Sequence, residues 1–455
     1  MKFAISKDIK IYKENSMRET SIMWLILMFS FSCFAQDFDK VKMDELFSIL
    51  NKHEQSMGSF SIFKDGKEVY ANAIGFIDID TKKKADTNTI YRIGSISKVF
   101  TASIIMKLVE EKKLKLSSPL TRWFPKIKNS SRITVESMLN HSSGIYNFTN
   151  TDEYLTYLNK PQNREELYTK IQEFGSAFDP GEDADYSNSN YVLLSMIAEE
   201  VTDTSFDVLL QDMICKPLGL TRTYVGGKIQ SSSNEAHSFK KIKKWITDTE
   251  TDMSIPLGAG SIVSTAADVN TFLYGLFHDQ VVTADSRKKM MNIQNGFGLG
   301  LFKIPYGDKE AYGHNGGIDG FQSMGYHMPE DNMTITYLSN GTVYSINDVM
   351  LDALGIYFRE GKDLPEFLPV MKLKSSDLDQ YLGKYTSSDI PMDLTITKVG
   401  DLLNGQATGQ QAFLLDAIDI HKFKFDPARI KIEFFPEENM LILNQNGEEY
   451  KMSRE

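Results

Sequence analysis

The 455 residues carry 61 acidic against 50 basic side chains, a formal net charge of −11. That acidity argues against nucleic acid as a partner. With 41% hydrophobic and 24% charged residues, the chain has the make-up of a soluble globular protein and room for more than one domain.

Residues 1–35 are net basic and end in an apolar run over 22–35, too short for a comfortable membrane span. Arg18 before the run and small Ala35 at its end read as a secretory signal cleaved before Gln36, which puts the mature chain in a periplasm or outside the cell. Met17 is an alternative start. A lipid-anchored Cys33 is the alternative address, and membrane anchoring follows only from that reading. After cleavage Cys215 stands alone, so no intramolecular disulfide is expected; its setting fits the end of a packed helix.

Phe60-Ser61-Ile62-Phe63, the turn pair Asp65-Gly66 and Glu68-Val69-Tyr70-Ala71 predict a β-hairpin. Ser95-Ile96-Ser97-Lys98 then opens a stretch with helical spacing (Val99, Ile104, Ile105, Leu108, Val109). Residues three apart share a helix face, so the Lys98 amine can reach the Ser95 hydroxyl. A serine hydroxyl needs a base to become a nucleophile, and a desolvated lysine can be that base. The pattern is short enough to arise by chance, and it acquires meaning from two later elements. Tyr186-Ser187-Asn188 follows an Asp179-Pro180-Gly181 turn and precedes a helix-like segment over 193–201. His314-Asn315-Gly316-Gly317 comes third. Strand signals return over 321–327 and 333–338 around a Pro329-Glu330-Asp331-Asn332 turn, and 349–358 looks helical. Strands at both ends of this region, with helices between, suggest an antiparallel sheet built from N- and C-terminal segments.

Residues 361–369 read as a linker. Beyond them, short alternating runs (Leu394/Ile396, Ile418/Ile420, Phe423/Phe425, Ile430/Ile432/Phe434, Leu441/Leu443) predict a small all-β domain over 370–455, most simply an antiparallel barrel. It holds no candidate catalytic cluster, and a role in packing, oligomerisation or covering the active site fits it better. The histidines outside the third element lack metal-ligand spacing, and His53, His141, His237, His278 and His327 read as structural. No metal or organic cofactor is implied.

Ser-x-x-Lys, Ser-Asp-Asn and Lys-Thr-Gly elements in this order mark class A β-lactamases and penicillin-binding proteins. With Tyr186-Ser187-Asn188 second and His314-Asn315-Gly316 third, the chain resembles the serine β-lactamase-like superfamily on its class C and D-Ala-D-Ala carboxypeptidase side (peptidase family S12). Segments 133–145, 217–221 and 258–268 are similar to that family as well. The resemblance covers residues 45 to 350 or so and implies a three-layer α/β fold: a β-lactamase/transpeptidase-like antiparallel sheet flanked by helices, here over 36–360, with a lipocalin-like barrel appended.

The roles that the resemblance implies are these. Ser95 attacks a carbonyl to form an acyl-enzyme, Lys98 accepts its proton, and Tyr186 shuttles protons to the leaving group and the deacylating water. Asn188 orients Lys98 and the acyl-side amide of a small-molecule or peptide substrate. His314 stands where β-lactamases have lysine; it is placed to hydrogen-bond Tyr186 and to supply charge only while protonated, and if catalysis depends on its state, its titration is expected in the rate profile between about pH 5 and 8. The Ser95 and Gly317 N–H groups form the oxyanion hole, with Gly316 and Gly317 allowing close approach. Asn315 replaces the Thr or Ser that helps bind a substrate carboxylate in penicillin-recognising members, which puts efficient β-lactam hydrolysis in question. An exported serine hydrolase acting on amide or ester bonds is the leading expectation. A carboxylesterase is the alternative, and a non-catalytic peptidoglycan- or ligand-binding protein the remaining one. Pocket walls are expected from loops over 148–157 and 226–252.

Overall fold

The computed structural model describes residues 38–455 apart from 243, 368–369, 426–427, 429 and 446–447. The predicted signal over 1–35, Cys33 and the cleavage point before Gln36 lie outside the described residues.

Helix α1 (Lys40–Lys52) leads into strands β1 (Ser56–Lys64) and β2 (Lys67–Ile74), the predicted hairpin extended at both ends. Asp65 and Gly66 both take positive φ (52° and 74°), as the two-residue turn that matches the twist of paired strands requires. The helices that matter for the site are α2 (Ser97–Glu110), α3 (Asn188–Thr202) and α4 (Ala266–Phe277). Strands β3 (Phe302–Tyr306), β4 (Lys309–Ile318), β5 (Phe321–Met328) and β6 (Met333–Thr342) follow, then helix α5 (Ile346–Tyr357).

The six strands form one antiparallel sheet in the order β3-β4-β5-β6-β1-β2. Chain ends meet in its middle, with Phe60 opposite Tyr337. Strand β1 is buried along nearly its whole length because both of its faces are covered. Phe60 and Ile62 face a core shared with α1 and α5, while α2, α3 and α4 build the larger core on the other side. On that second face the Asn270 amide of α4 donates to Ser61 O and Ser61 Oγ, both at 3.0 Å, which pins the helix to the sheet. The result is the expected three-layer architecture.

Strand β4 was not expected from sequence. Gly313, Gly316 and Gly317 interrupt it, and glycine carries little strand preference of its own. Neighbouring strands recruit it through the ladder, as in the pairs Gly316–Ser323 and Phe302–Gly313.

From Gly383–Thr386 to Glu448–Arg454, eight strands close into a barrel, the last returning to pair with the first (Tyr385 opposite Arg454). Its core of Leu394, Ile396, Phe423, Ile432, Phe434, Leu441 and Leu443 follows the alternation read in the sequence. One run differs. Ile418/Ile420 is a turn between Phe413–Ala417 and Lys422–Phe425, and Ile420 is 55% exposed. Cys215 is buried and free, as expected of a packed helical segment.

Candidate active site

Ser95 sits in a 3-10 turn, Gly94–Ile96, that runs straight into α2. The turn is held from two sides. Arg92 pairs with Val263, and Ile93 N donates to Ile262 O, while Ser97 Oγ accepts from Ile262 N. On the other side lies β4. A Cβ at Gly316 would come within 2.3 Å of Ile93 O and 2.9 Å of Ser95 N, and one at Gly94 (φ +50°) within 2.8 Å of Gly317 N. Bare backbone at these two positions lets the Ser95 turn and the Gly316-Gly317 strand touch.

Lys98 is wholly buried, and among the described residues no carboxylate forms an ion pair with it. Its Nζ lies 2.9 Å from Ser95 Oγ, 2.8 Å from Asn188 Oδ1 and 2.7 Å from Ala259 O. Burial pushes the Lys98 amine well below 10.5. A neutral amine has two N–H groups and one lone pair. Two of the three neighbours, Asn188 Oδ1 and Ala259 O, are pure acceptors and take the two N–H groups. The lone pair is left for the Ser95 hydroxyl.

The Asn188 amide is oriented by its other end, since Nδ2 donates to Thr149 Oγ1 (2.9 Å), which itself donates to Asn147 Oδ1 (3.0 Å). Asn147 Oδ1 also takes the Asn188 N–H at 3.1 Å. Tyr186 OH donates to Ser95 Oγ at 2.7 Å, and burial pushes its phenol up, so it is a neutral donor. Once Lys98 gains a proton, its ammonium stands 4.9 Å from the centre of the Tyr186 ring, within cation–π reach.

His314 is buried, with its ring 4.4 Å from Phe302 and 6.1 Å from Tyr186. Its Nδ1 contacts the Asn315 carbonyl, and among the described residues no hydrogen bond joins it to Tyr186. Burial, joined by Lys98 whenever that amine is protonated, pushes the imidazole down to about 3, against a smaller upward pull from the Asn315 carbonyl. The expected hydrogen bond to Tyr186 and the titration between pH 5 and 8 are therefore both corrected: the group is neutral across that range. His314→Gln is expected to leave the limbs of the kcat/KM–pH profile where they are between pH 5 and 8. A limb that vanishes in the variant would return the titration to His314.

A cavity of about 1230 Å³ runs from Ser95, Asn188, Gly316 and Gly317, past Asn315, to the other face of the sheet, where Met324, Tyr326, Met350 and Leu354 line it. Phe148, Thr149 and Tyr154 form one wall and Asp248, Thr249 and Thr251 another, within the two loop regions named from sequence, and Leu158 extends the first by one residue. Asn315 pairs with Met324 on β5, so its side chain falls on the face of the sheet opposite His314.

Sequence reasoning missed several groups. Ala259 acts through its carbonyl, which no motif displays. Thr149 and Asn147 lie in a loop whose polar composition was the one available signal. Arg92 is missed too. Its guanidinium binds Asp319 (2.9 Å), Glu250 (3.1 Å), Thr251 O (2.8 Å) and Gly227 O (3.0 Å), and the Thr251 hydroxyl adds a bond to Asp319. This network ties the strand before Ser95, the wall loop and the residue two past Gly317 into one body. Removing one partner of such a buried pair strands the other charge, at a cost of about 3–5 kcal/mol.

A serine hydroxyl between a buried lysine and a phenol, on a helix end against an antiparallel sheet, defines a serine hydrolase of the β-lactamase fold. The Beta-lactamase family model matches residues 45–354, and the chain belongs to that family. It is similar to penicillin-binding protein 4* of Bacillus subtilis (strain 168), 25% identical over 450 residues that cover 90% of this chain and 98% of the relative. The putative penicillin-binding protein PbpX of the same organism is 26% identical over 286 residues, 62% of this chain and 70% of the relative. Among solved structures, the D-amino acid amidase of Ochrobactrum anthropi SV3 shares the fold with a TM-score of 0.62 at 24% identity, over 70% of this chain and 100% of that one. The octameric penicillin-binding protein homologue of Pyrococcus abyssi aligns over 91% of this chain and 99% of its own, barrel included, with a TM-score of 0.65 at 23% identity.

Proposed function

We propose that the protein is an exported, peptidase-like hydrolase that cleaves amide bonds of the D-Ala-D-Ala type through a Ser95 acyl-enzyme. The observation that carries the reading is the Lys98 hydrogen-bond count, which leaves that amine one lone pair and aims it at the nucleophile. Ser95 Oγ attacks the carbonyl carbon while its proton passes to Lys98. The oxyanion is taken up by the Ser95 and Gly317 N–H groups, on segments that the close approaches of Gly94 to Gly317 and of Gly316 to Ser95 hold side by side. Lys98 returns the proton through Tyr186 to the leaving amine and the C–N bond breaks; the same pair then takes a proton from the attacking water and passes it to Ser95 Oγ as the C–Oγ bond breaks. The likeness to penicillin-binding protein 4* over nearly its full length supports the substrate class.

A second reading, a carboxylesterase, draws support from the third motif. With His314 neutral and Asn315 in place of a hydroxyl residue, that motif brings no positive charge to hold a substrate carboxylate.

The experiment is intact-protein mass after incubation with benzylpenicillin, beside Ser95→Ala, with D-Ala release from D-Ala-D-Ala peptides and turnover of short acyl esters followed in parallel. A Ser95-dependent gain of one penicillin together with D-Ala release is the expected result. No adduct and no D-Ala, with Ser95-dependent ester turnover, selects the esterase. Turnover of any substrate that survives Ser95→Ala removes the acyl-enzyme altogether.

A further inference from the structure

His141 was read from sequence as an ordinary structural histidine, and its place in the fold is more particular. The peptide carrying Tyr186 is gripped on both sides of that residue by this one histidine. The His141 carbonyl takes the Asp185 N–H at 3.1 Å, and His141 Nδ1 takes the Ser187 N–H at 3.1 Å. Between those two bonds the imidazole lies against the phenol, ring centres 4.6 Å apart and planes at 33°. The ring is backed by Phe297 at 4.9 Å and Tyr191 at 5.3 Å, so it has no room to retreat. His141 is 3% exposed, and Ser95, not His141, lines the cavity.

The geometry points to His141 as the residue that positions Tyr186 for proton transfer, acting through the Ser187 N–H bond and the stacked ring and never touching substrate. This rests on the proton-shuttle role given to Tyr186 above.

Three observations support it. A backbone N–H can donate only to an unprotonated ring nitrogen, so the grip requires the tautomer with its proton on Nε2. Asn190 reinforces that tautomer: its Oδ1 accepts from Ser143 (2.6 Å), which turns its NH2 toward the same Nδ1, 3.5 Å away. The environment keeps the ring neutral as well. Burial holds His141 well below its usual 6.5, and a proton on Lys98 or His314 would push it the same way. Finally, the backbone at His141 is left-handed (φ +60°), an uncommon conformation for a side-chain-bearing residue, and it is this turn that aims the carbonyl and the ring at the same peptide.

The same φ supplies clean variants, because glycine and asparagine tolerate the left-handed region. His141→Gly removes both the acceptor and the ring. His141→Asn puts a carbonyl oxygen close to where Nδ1 lies. A displacement of the phenol by about 1 Å costs on the order of 100-fold in rate. His141→Gly is therefore expected to lower kcat about 10- to 100-fold with KM nearly unchanged, and His141→Asn to recover most of the loss. The deciding measurement is a double-mutant cycle with Tyr186→Phe, using whichever substrate shows Ser95-dependent turnover. Once the phenol hydroxyl is gone there is nothing left to position, so His141→Gly should add little further loss. An equal loss in both backgrounds, or no loss in either, overturns the inference. If His141→Gly does not fold, His141→Asn takes its place in the cycle: a fall in kcat that shrinks in the Tyr186→Phe background supports the role, and an equal fall in both backgrounds or none in either overturns it. Failure of the underlying reading looks different, since Tyr186→Phe itself would then be as active as the parent.

Discussion

Lys98→Met lowers kcat by about 10² to 10⁴-fold, the range for removing a general base, and leaves a folded protein. The methionine fills similar space, so the loss is one of chemistry: Ser95 keeps the Tyr186 hydrogen bond and has no acceptor for its proton. Lys98→Arg puts a permanent cation at the same place and fails equally, because a guanidinium does not surrender its proton at working pH. In the parent enzyme, kcat/KM should rise with pH along a limb whose midpoint lies well below the 10.5 of a solvated lysine. Residual activity in Lys98→Met should lack that limb. Activity within a few-fold of the parent in either variant would remove Lys98 as the base.

The same buried amine leaves a mark on stability, and its sign can be worked out. The Lys98 value is lowered in the folded protein, so as pH falls from 10.5 the unfolded chain takes up the proton first. Stability attributable to this residue therefore falls with pH through the window between 10.5 and the folded-state value. Lys98→Met is free of that slope, and its Tm relative to the parent should climb as pH is lowered from 10 toward neutrality. A constant difference would mean that the amine is not depressed.

Tyr186→Phe is the second large effect, with kcat about 10² to 10³-fold lower. Phenylalanine keeps the ring that stacks on His141 and removes only the hydroxyl 2.7 Å from Ser95 Oγ. Since the phenol is neutral at working pH, its part is to relay a proton, and no other side-chain hydroxyl is hydrogen-bonded to Ser95 Oγ among the described residues. Pre-steady-state kinetics should show the acyl-enzyme forming and decaying slowly, with substrate KM little changed. An undiminished kcat would move the proton path onto Lys98 alone.

The legible part of the site lies in three short stretches of chain. Ser95 and Lys98 are one helical turn apart, so any fold that keeps the helix keeps the pair. Tyr186 and Asn188 are read together because a turn precedes them and a helix begins with them, although α3 starts at Asn188, five residues before the predicted segment. The barrel is legible in the same local way, since alternation marks inward-facing residues, while its closure through Tyr385 and Arg454 is not.

Sequence by itself determined the nucleophile, its neighbouring amine, the phenol and amide that accompany them, and the family they define. Each of these is a chemical identity at a spacing that local backbone geometry can satisfy. Only the tertiary structure decided their electrical state and their aim. Burial makes Lys98 and His314 neutral, and burial is a sum over residues distant in sequence. The lone pair of Lys98 finds Ser95 because a backbone carbonyl at Ala259 and an amide turned by Thr149 occupy its protons. Arg92 meets Asp319 across 227 positions, and His141 grips the Tyr186 peptide across more than 40. Such contacts are set by how the elements pack, and no periodicity or motif in a single chain encodes which distant residues packing will bring together.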